Sequence, residues 1–242
     1  ESEGLIGYMI QQSLGNELRR SHPPTEAGGA PPAVVSVISQ TVVDDDDPAW
    51  QKPSKPVGKF YSEAEAKDLI ARGKNLKEDA GRGWRVVVPS PKPKEIVEAA
   101  AIRCLVDHGH IVVASGGGGV PVVRSGTGSL SGRDAVVDKD LCAVVLAEAV
   151  SASLLILLTD VDAVCLDWGK PSKRTVPRMT VTQAKQYISE GHFAPGSMLP
   201  KVQACVEFVE KSGHDAIITS LDLAVAGLSG DAGTRIVPDP AH

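Results

Sequence analysis

The sequence predicts an α/β fold with a mostly parallel central sheet. One observation favours this class, and a second sets the size of the fold. First, apolar, β-branched stretches of strand length alternate with helical patterns of about ten to fifteen residues, which indicates βαβ units with a sheet covered on both faces. Second, the chain has 242 residues, 42% of them hydrophobic. That length can bury a sizeable core, either as one large domain or as a domain with an added lobe.

Local signals place the elements in order. The first twenty residues form an amphipathic helical pattern, a loop is predicted at 21–32, and 33–43 is apolar and β-branched enough for a buried strand. Ser62 and Glu65 form a capping-box signal for a helix over 62–72, which Gly73 ends. The remaining predictions are helices at 95–109 and near 138–150, 181–190 and 198–212, a short helix near the end, and strands within 83–94 and at 110–114, 153–158, 215–219 and 233–237.

The stretch 44–92 interrupts this alternation and is interpreted as an inserted lobe. It opens with four aspartates and continues with many prolines and lysines, so it cannot be regular structure throughout. Within it, Lys55 stands on a Pro53–Ser54–Lys55–Pro56 segment, where the two prolines restrict the backbone and would hold the lysine at a defined reach. A simple proline-rich connector is the alternative.

Composition excludes several classes of function. The formal net charge is −5, which argues against a nucleic-acid partner, and no apolar run is as long as a membrane span. The four cysteines lie far apart in apolar surroundings without a CxxC pair. We therefore predict buried thiols in a reducing, cytoplasmic compartment rather than disulfides or a zinc site, and no metal site made by the protein alone.

Four consecutive glycines, Gly116, Gly117, Gly118 and Gly119, follow the predicted strand 110–114. Ligands of parallel sheets bind beyond the carboxyl ends of the strands. Glycines adopt positive φ readily and can bring several backbone N–H groups to one point, which forms a nest for an anion. A tight turn is the alternative, although a turn seldom needs four glycines. The pattern matches neither a P-loop nor a dinucleotide fingerprint, so by itself it predicts only a bound phosphate or carboxylate.

Two lysines stand at predicted helix starts, where the helix dipole disfavours a positive charge. Lys139 lies between Asp138 and Asp140, and Lys201 lies just inside a later helix, after Ser197 as a predicted N-cap. Capping explains the two aspartates, but the lysines gain nothing from their positions unless an anion lies nearby. Together with the glycine loop, they point to phosphoryl transfer, which depends mostly on positioning and electrostatics.

Polar residues also end the predicted strand 153–158, where Thr159, Asp160 and Asp162 follow at the same edge of the sheet. Ordinary surface-turn residues are an equal alternative for these three positions.

With these residues in place, the sequence resembles the carbamate kinase family, within the amino-acid kinases. The resemblance runs in the family's order over nearly the whole chain, through GLIGYMIQQSL, QTVVDDDDPAWQKPSKPVGKFYSEAEAK, KEDAGRGWRVVVPSPKP, GGGGVPVV, AVVDKDL, LLTDVDAVCLDWGKP, GHFAPGSMLPK and AIITSL. It implies a three-layer α/β/α sandwich with a protruding subdomain, usually a homodimer. It also implies reversible phosphoryl transfer between ATP and carbamate, giving ADP and carbamoyl phosphate, with Mg²⁺ bound through the nucleotide. In arginine catabolism this reaction typically makes ATP.

The same resemblance implies roles for individual residues. The DKD motif supplies an organising aspartate, Asp138, and an active-site lysine, Lys139, and the GSMxPK motif supplies Lys201 beside the transferred phosphoryl group. Lys55 comes from the lobe 44–92, which is expected to close over the substrate, and the four glycines are expected to bind that substrate. The residues implied in the nucleotide pocket are Thr159, Asp160, Val161, Asp162, Trp168, Ser197 and Met198.

The expected chemistry agrees with the residue types. Carbamate is already an anionic oxygen nucleophile, so no general base is needed and the site should be rich in lysine and glycine. The six histidines are scattered, and a structural hydrogen bond explains His192, in the GHFAPGSM motif, as well as a catalytic role does.

The sequence also departs from the family's pattern. Trp168 stands where the family often has tyrosine and Ala163 where glycine is common. The family's opening GGNA and GNGPQ loops are not found in this sequence, so we expect 1–242 to be an amino-acid kinase domain that is N-terminally incomplete and inactive alone. A truncated paralogue or fragment that binds nucleotide or a partner subunit without turnover is the alternative. Acetylglutamate kinase is a further alternative, against which the lobe 44–92 argues.

Overall fold

The computed structural model describes residues 2–21, 31–79 and 81–240. They form two compact units, Glu1–Cys142 and Ala143–His242. Each unit combines helices with sheets that contain parallel strand pairs, so the predicted α/β class is confirmed. The predicted loop at 21–32 lies mostly outside the described residues.

The first unit holds most of the strands. Its helices are α1 (Ser2–Ser21), α2 (Glu63–Ala71), α3 (Ala99–Asp107) and the start of α4 (Lys139–Ala149), and its strands are β1 (Val34–Val37), β2 (Gln40–Val42), β3 (Lys55–Tyr61), β4 (Leu76–Glu78), β5 (Trp84–Val88), β6 (Glu95–Ile96), β7 (Ile111–Ala114), β8 (Val120–Arg124) and β9 (Leu130–Gly132).

Three sheets organise this unit. Strands β1 and β7 pair in parallel, with Val34 opposite Ile111. The second sheet has the order β6-β2-β8-β9, in which β2 and β8 are parallel and the outer pairs antiparallel. The third, β3-β5-β4, is antiparallel and lies with α2 inside the predicted lobe 44–92. The closure of this lobe over a substrate remains a prediction.

The predicted strand 33–43 is two strands that join different sheets. The break falls at Ser39, whose backbone N–H donates to Glu3 Oε1 at 2.9 Å and whose Oγ accepts the N–H of Ser115 at 2.9 Å. These side-chain contacts replace ladder hydrogen bonds, so the chain changes partners from β7 to β8.

Two other predictions in this unit are wrong in detail. The predicted helix 95–109 begins only at Ala99, because β6 pairs with β2 through Thr41 and Ile96. Cys104, expected to be buried, is exposed on α3 and Cys165 is only partly buried, whereas Cys142 and Cys205 are buried; none of these four cysteines forms a disulfide. The capping box of α2 is confirmed: Ser62 Oγ accepts the N–H of Glu65, and the Glu65 carboxylate accepts the N–H of Ser62.

The acidic run 44–47 is fixed to other segments rather than merely solvated. Asp47 also caps a short 3₁₀ helix, Pro48–Trp50, by accepting the N–H of Ala49 at 2.8 Å. The contacts of the run with distant segments are an ion pair of Asp44 with Lys94, an ion pair of Asp45 with Arg133 at 2.8 Å, and a hydrogen bond from the N–H of Lys92 to Asp47 at 3.0 Å.

The second unit begins within α4. Its other helices are α5 (Val181–Ser189), α6 (Met198–Ser212) and α7 (Ala224–Ser229), and its strands are β10 (Leu155–Thr159), β11 (Cys165–Leu166), β12 (Arg174–Thr175), β13 (Arg178–Thr180), β14 (Ala216–Ser220) and β15 (Thr234–Val237). Sequence patterns missed β11, β12 and β13, which have two or three residues each.

A four-stranded sheet with the order β10-β14-β15-β13 forms the centre of this unit. Strands β10 and β14 are parallel, with Leu155 opposite Ala216, so Thr159 ends β10 at the carboxyl edge as predicted. Helix α6 covers the sheet and buries Phe208 completely, while β14 contributes Ile217 and Ile218 to the same core. Burial of this apolar surface stabilises the unit. Among the described helices, none is long and apolar enough to cross a membrane.

Candidate active site

In the first unit, the structure brings Lys55 and Asp138 together. Lys55 extends from the start of β3, and its Nζ lies 2.6 Å from Asp138 Oδ2. The other carboxylate oxygen of Asp138 accepts the backbone N–H groups of Asp140 at 2.9 Å and Leu141 at 3.2 Å. Asp138 therefore caps α4, as its position suggested, and binds the lysine of the predicted lobe at the same time.

This arrangement keeps the Asp138 carboxylate charged. Burial opposes its ionisation, but the hydrogen bond and charge of Lys55, with the N–H groups of Leu141 and Asp140, outweigh burial. The pKa of Asp138 consequently lies below its usual value.

Lys139 opens α4 beside this pair and points to the surface. Its side chain is 59% exposed, and its Nζ lies 3.8 Å from Asp140 Oδ1. The N–H groups of the first turn are already occupied by Asp138. The exposed side chain of Lys139 is a separate group, which an incoming anion can reach from solvent.

The glycine loop connects β7 to β8 and has the predicted conformation. Gly116, Gly117 and Gly119 have φ values of 48°, 134° and 73°. A Cβ on Gly118 would lie 2.1 Å from the carbonyl oxygen of Val137, and one on Gly119 would lie 2.2 Å from Thr41 Oγ1. At these two positions, glycine is required because other atoms of the protein lie too close for a side chain. The anion-nest interpretation did not predict this reason for glycine.

The loop nevertheless keeps free donors. In the part of the chain that the structure describes, the backbone N–H groups of Gly116, Gly117 and Gly118 donate no hydrogen bond. The N–H of Gly119 donates to the Ser115 carbonyl at 2.6 Å, and Thr41 Oγ1 donates to the Gly118 carbonyl at 2.8 Å. The hydroxyl of Thr41 therefore holds the loop through the Gly118 carbonyl. Sequence patterns missed this role because the two residues are 77 positions apart along the chain.

In the second unit, most of the predicted nucleotide residues line one pocket of about 180 Å³. It lies at the carboxyl end of β10 and the start of α6, where parallel sheets usually bind ligands. The lining residues are Thr159, Asp160, Val161, Ala163, Cys165, Trp168, His192, Phe193, Ala194, Ser197 and Met198.

One predicted residue is not part of that lining. Asp162 instead offers its backbone carbonyl to Thr219 Oγ1 at 3.2 Å. Ala163, which stands where the family often has glycine, lines the pocket too, and four lining residues were missed in this role: Cys165, His192, Phe193 and Ala194. The last three belong to the GHFAPGSM motif, so the motif itself could have indicated them.

Helix α6 begins at this pocket without a side-chain cap. Ser197 occupies the N-cap position with φ −140°, and its side chain makes no capping hydrogen bond. Lys201 follows in the first turn and is only 8% exposed. The N–H of Leu199 donates to the Ala194 carbonyl at 3.1 Å, and Pro200 has no N–H. The start of α6 thus places a buried lysine, rather than a row of free backbone donors, close to residues that line the pocket.

Known proteins resemble this chain over nearly its whole length. Residues 57–220 match the model of the amino acid kinase family. The chain belongs to this family. It is 51% identical over 237 residues to the carbamate kinase of Thermococcus kodakarensis, covering 98% of this chain and 73% of that protein. It is 48% identical over 241 residues to the carbamate kinase of Trichomonas vaginalis, covering 99% of this chain and 74% of that protein.

A solved structure shows the same fold. The carbamate kinase of Giardia lamblia bound to AMP-PNP superposes with a TM-score of 0.84 at 45% identity, covering 98% of this chain and 73% of that chain. The fold is therefore the amino-acid kinase fold.

Proposed function

We propose that the protein is a carbamate kinase, which transfers a phosphoryl group reversibly between ATP and carbamate and typically makes ATP from ADP and carbamoyl phosphate. The observation that carries this proposal is the identity of 51% and 48%, over nearly the whole chain, to proteins that are carbamate kinases. A structural relative that binds AMP-PNP supports the nucleotide as one substrate.

The residue types suit this reaction. In the direction of ATP synthesis, a β-phosphate oxygen of ADP attacks the phosphorus of carbamoyl phosphate, and the bond to the carbamate oxygen breaks. Carbamate leaves as an anion, so no proton has to be moved and no general base is required. The demand on the protein is to position two anions and to neutralise charge on the transferring group. We assign this to Lys139 and Lys201, with Asp138 as the residue that orders the start of α4.

Lys55 is proposed to bind the carbamoyl phosphate or carbamate. Its present partner is the ionised carboxylate of Asp138, at 2.6 Å. The phosphoryl group carries more negative charge than one carboxylate, so it can compete for the ammonium group. The unpaired N–H groups of Gly116, Gly117 and Gly118 supply further donors for an anion.

The pocket in the second unit is proposed to take the nucleotide. Its apolar walls suit a base, and Thr159, Asp160 and Ser197 provide the polar contacts. Mg²⁺ is expected to arrive with the nucleotide, because it is generally held by substrate phosphates and one or two carboxylates, and Asp160 is the carboxylate on the pocket wall.

The decisive test is ATP formation from ADP, Mg²⁺ and carbamoyl phosphate by the purified protein, measured by luciferase luminescence. In contrast to the inactivity that the sequence predicted for 1–242 alone, we expect ATP to form in proportion to the protein and to stop when carbamoyl phosphate is omitted, because the proteins that it matches over nearly its whole length are carbamate kinases. Binding of ADP without any ATP formation would instead support a nucleotide-binding protein without turnover. We further infer a homodimer in a reducing, cytoplasmic compartment. The four cysteines, none of which forms a disulfide, support the reducing compartment.

A further inference from the structure

His192 lies between two carboxylates at the wall of the pocket. It follows α5, and its side chain is 21% exposed. Its Nε2 lies 3.0 Å from Glu190 Oε2, and its Nδ1 lies 3.5 Å from Asp167 Oδ1. The ring of Tyr187 meets the imidazole edge-on at 5.7 Å between centroids. A second cation faces the same cluster, because the Nζ of Lys170 lies 3.0 Å from the Asp167 oxygen that His192 contacts.

The contact with Glu190 is a hydrogen bond, whereas the contact with Asp167 at 3.5 Å is an ion pair only when the imidazole is protonated. A neutral imidazole carries one N–H, so its other nitrogen would direct a lone pair at a carboxylate oxygen. The imidazolium has a donor on each nitrogen and can serve Glu190 and Asp167 together.

One of these carboxylates organises the turn that carries Trp168. We call residues 167–173 the Trp168 turn. Asp167 has a φ of 53°, an unusual backbone for a non-glycine residue, and accepts hydrogen bonds from Lys170 Nζ at 3.0 Å and Ser172 Oγ at 3.1 Å. The Nζ of Lys173 lies 3.9 Å from the centre of the Trp168 ring. Asp167 thus connects the turn internally, while His192 connects it to the end of α5.

Trp168 needs such support because little else covers it. It lines the pocket, but the residue is 59% exposed. Movement of the Trp168 turn would change the pocket wall directly.

We propose that His192 is a positioning residue for the nucleotide pocket: when protonated, it bridges Asp167 and Glu190, holds the Trp168 turn in place, and thereby strengthens nucleotide binding. Loss of the proton removes one of the two links, so the turn loosens as the pH rises. This inference rests on the proposed nucleotide role of the pocket.

Both carboxylates stay charged over the relevant pH range. The pKa of Asp167 is lowered first by the hydrogen bonds from Lys170 and Ser172, and also by the charge of His192. The pKa of Glu190 is lowered first by the hydrogen bond from Gln186, and then by that from His192. The two carboxylates therefore keep their negative charge between about pH 5 and pH 8, the range in which a histidine side chain can gain or lose a proton.

The first experiment measures the Kd of ADP by isothermal titration from about pH 6 to about pH 8 in the wild type and in His192→Gln. The phosphates of ADP titrate in this range too, so the informative quantity is the ratio of the two Kd values at each pH. We expect the wild type to bind roughly threefold to fivefold more tightly near the acidic end, the size of effect of a partly exposed ion pair, and the ratio to approach one near the alkaline end. His108→Gln, at an exposed histidine in the first unit, is the matched control and should follow the wild type.

The second measurement does not depend on ADP binding. Acrylamide quenching of Trp168 fluorescence is obtained as the difference between a protein and its Trp168→Phe variant, at the same series of pH values. We expect quenching of Trp168 to increase with pH in the wild-type background and to be high and independent of pH in the His192→Gln background.

The outcomes separate this inference from the proposed function. A Kd ratio that stays the same at every pH overturns the positioning role, as does quenching whose pH dependence survives in His192→Gln. If no form binds ADP, the proposed nucleotide role of the pocket fails, and the quenching alone decides whether His192 holds the turn.

Discussion

The starts of α4 and α6 have the same sequence signature and opposite environments. Each helix has a lysine in its first turn, where the helix dipole is unfavourable. The side chain of Lys139 is 59% exposed on α4, whereas Lys201 is only 8% exposed on α6. One lysine can therefore be reached freely from solvent and the other is held within the protein.

Capping differs in the same way. On α4, Asp138 satisfies backbone N–H groups with its own carboxylate. On α6, Ser197 makes no side-chain capping bond, and Ser197 and Met198 line the pocket. The comparison teaches that a lysine at a helix start can mark a site in two ways: as an exposed side chain that solvent reaches, or as a buried side chain next to residues that line a pocket.

The largest effect is expected for Lys201→Ala. It should lower kcat for ATP formation by about a hundredfold or more, the size of a lost preorganised contact with the transferring group. It should also lower the melting temperature, because truncation leaves a cavity at a buried position.

The matched control for that variant is Lys185→Ala, at an exposed lysine of α5 in the same unit that pairs with Glu210. It should leave both quantities unchanged. A near-normal kcat in Lys201→Ala would remove Lys201 from the mechanism.

Lys139→Ala should lower kcat to a similar degree, about a hundredfold. Its melting temperature should stay close to that of the wild type, because substitutions of exposed side chains usually change stability by less than about 0.5 kcal/mol. Calorimetry beside the luciferase assay measures both quantities. Equal destabilisation by Lys139→Ala and Lys201→Ala would contradict the contrast between the two helix starts.

Lys55→Ala should act on one substrate only. The KM for carbamoyl phosphate should rise about tenfold, as for loss of a hydrogen bond to a charged group, while the Kd of ADP stays nearly constant. Steady-state kinetics and isothermal titration with ADP measure the two effects. Equal losses for both ligands would mean that Lys55 supports the fold, and no loss would leave it an ordinary surface lysine.

The smallest effect is expected for Asp138→Asn, which keeps an oxygen to cap α4 but removes the charge that faces Lys55. The lowered pKa of Asp138 means that its ionised form stabilises the folded state above the pKa of the unfolded chain, and that this contribution is lost as the pH falls through the folded pKa. The free energy of unfolding of the wild type should exceed that of the variant by about 1 kcal/mol at neutral pH, and this difference should shrink below about pH 4. Urea unfolding at several pH values measures it, and a difference independent of pH would exclude the charge as its cause.

The sequence predicted these helix starts but not their contrast. Both lysines stand in motifs that can be read directly, and the dipole argument applies equally to each. Burial of Lys201 depends on how α6 packs on the sheet of its unit, and side chains far apart along the chain decide that packing. Spacing along the chain carries no information about it.

The glycine loop shows the same limit. Positive φ was predictable from four consecutive glycines, and three of them have it. The close approach of Thr41 to Gly119, and of the Val137 carbonyl to Gly118, was not predictable, because these contacts join segments that lie apart in the chain. A local pattern predicts a backbone conformation, whereas long-range contacts decide which atom occupies the space.

The acidic run 44–47 has a consequence for how the protein responds to salt. Its ion pairs with Lys94 and Arg133 lie near the surface, with Asp45 65% exposed, so dissolved ions weaken them. Raising the ionic strength should therefore loosen residues 48–54 before it affects the apolar core. Amide hydrogen exchange would then quicken in this segment in concentrated salt. The salt concentration of the storage and assay buffer would thus affect how well the residues next to Lys55 are ordered.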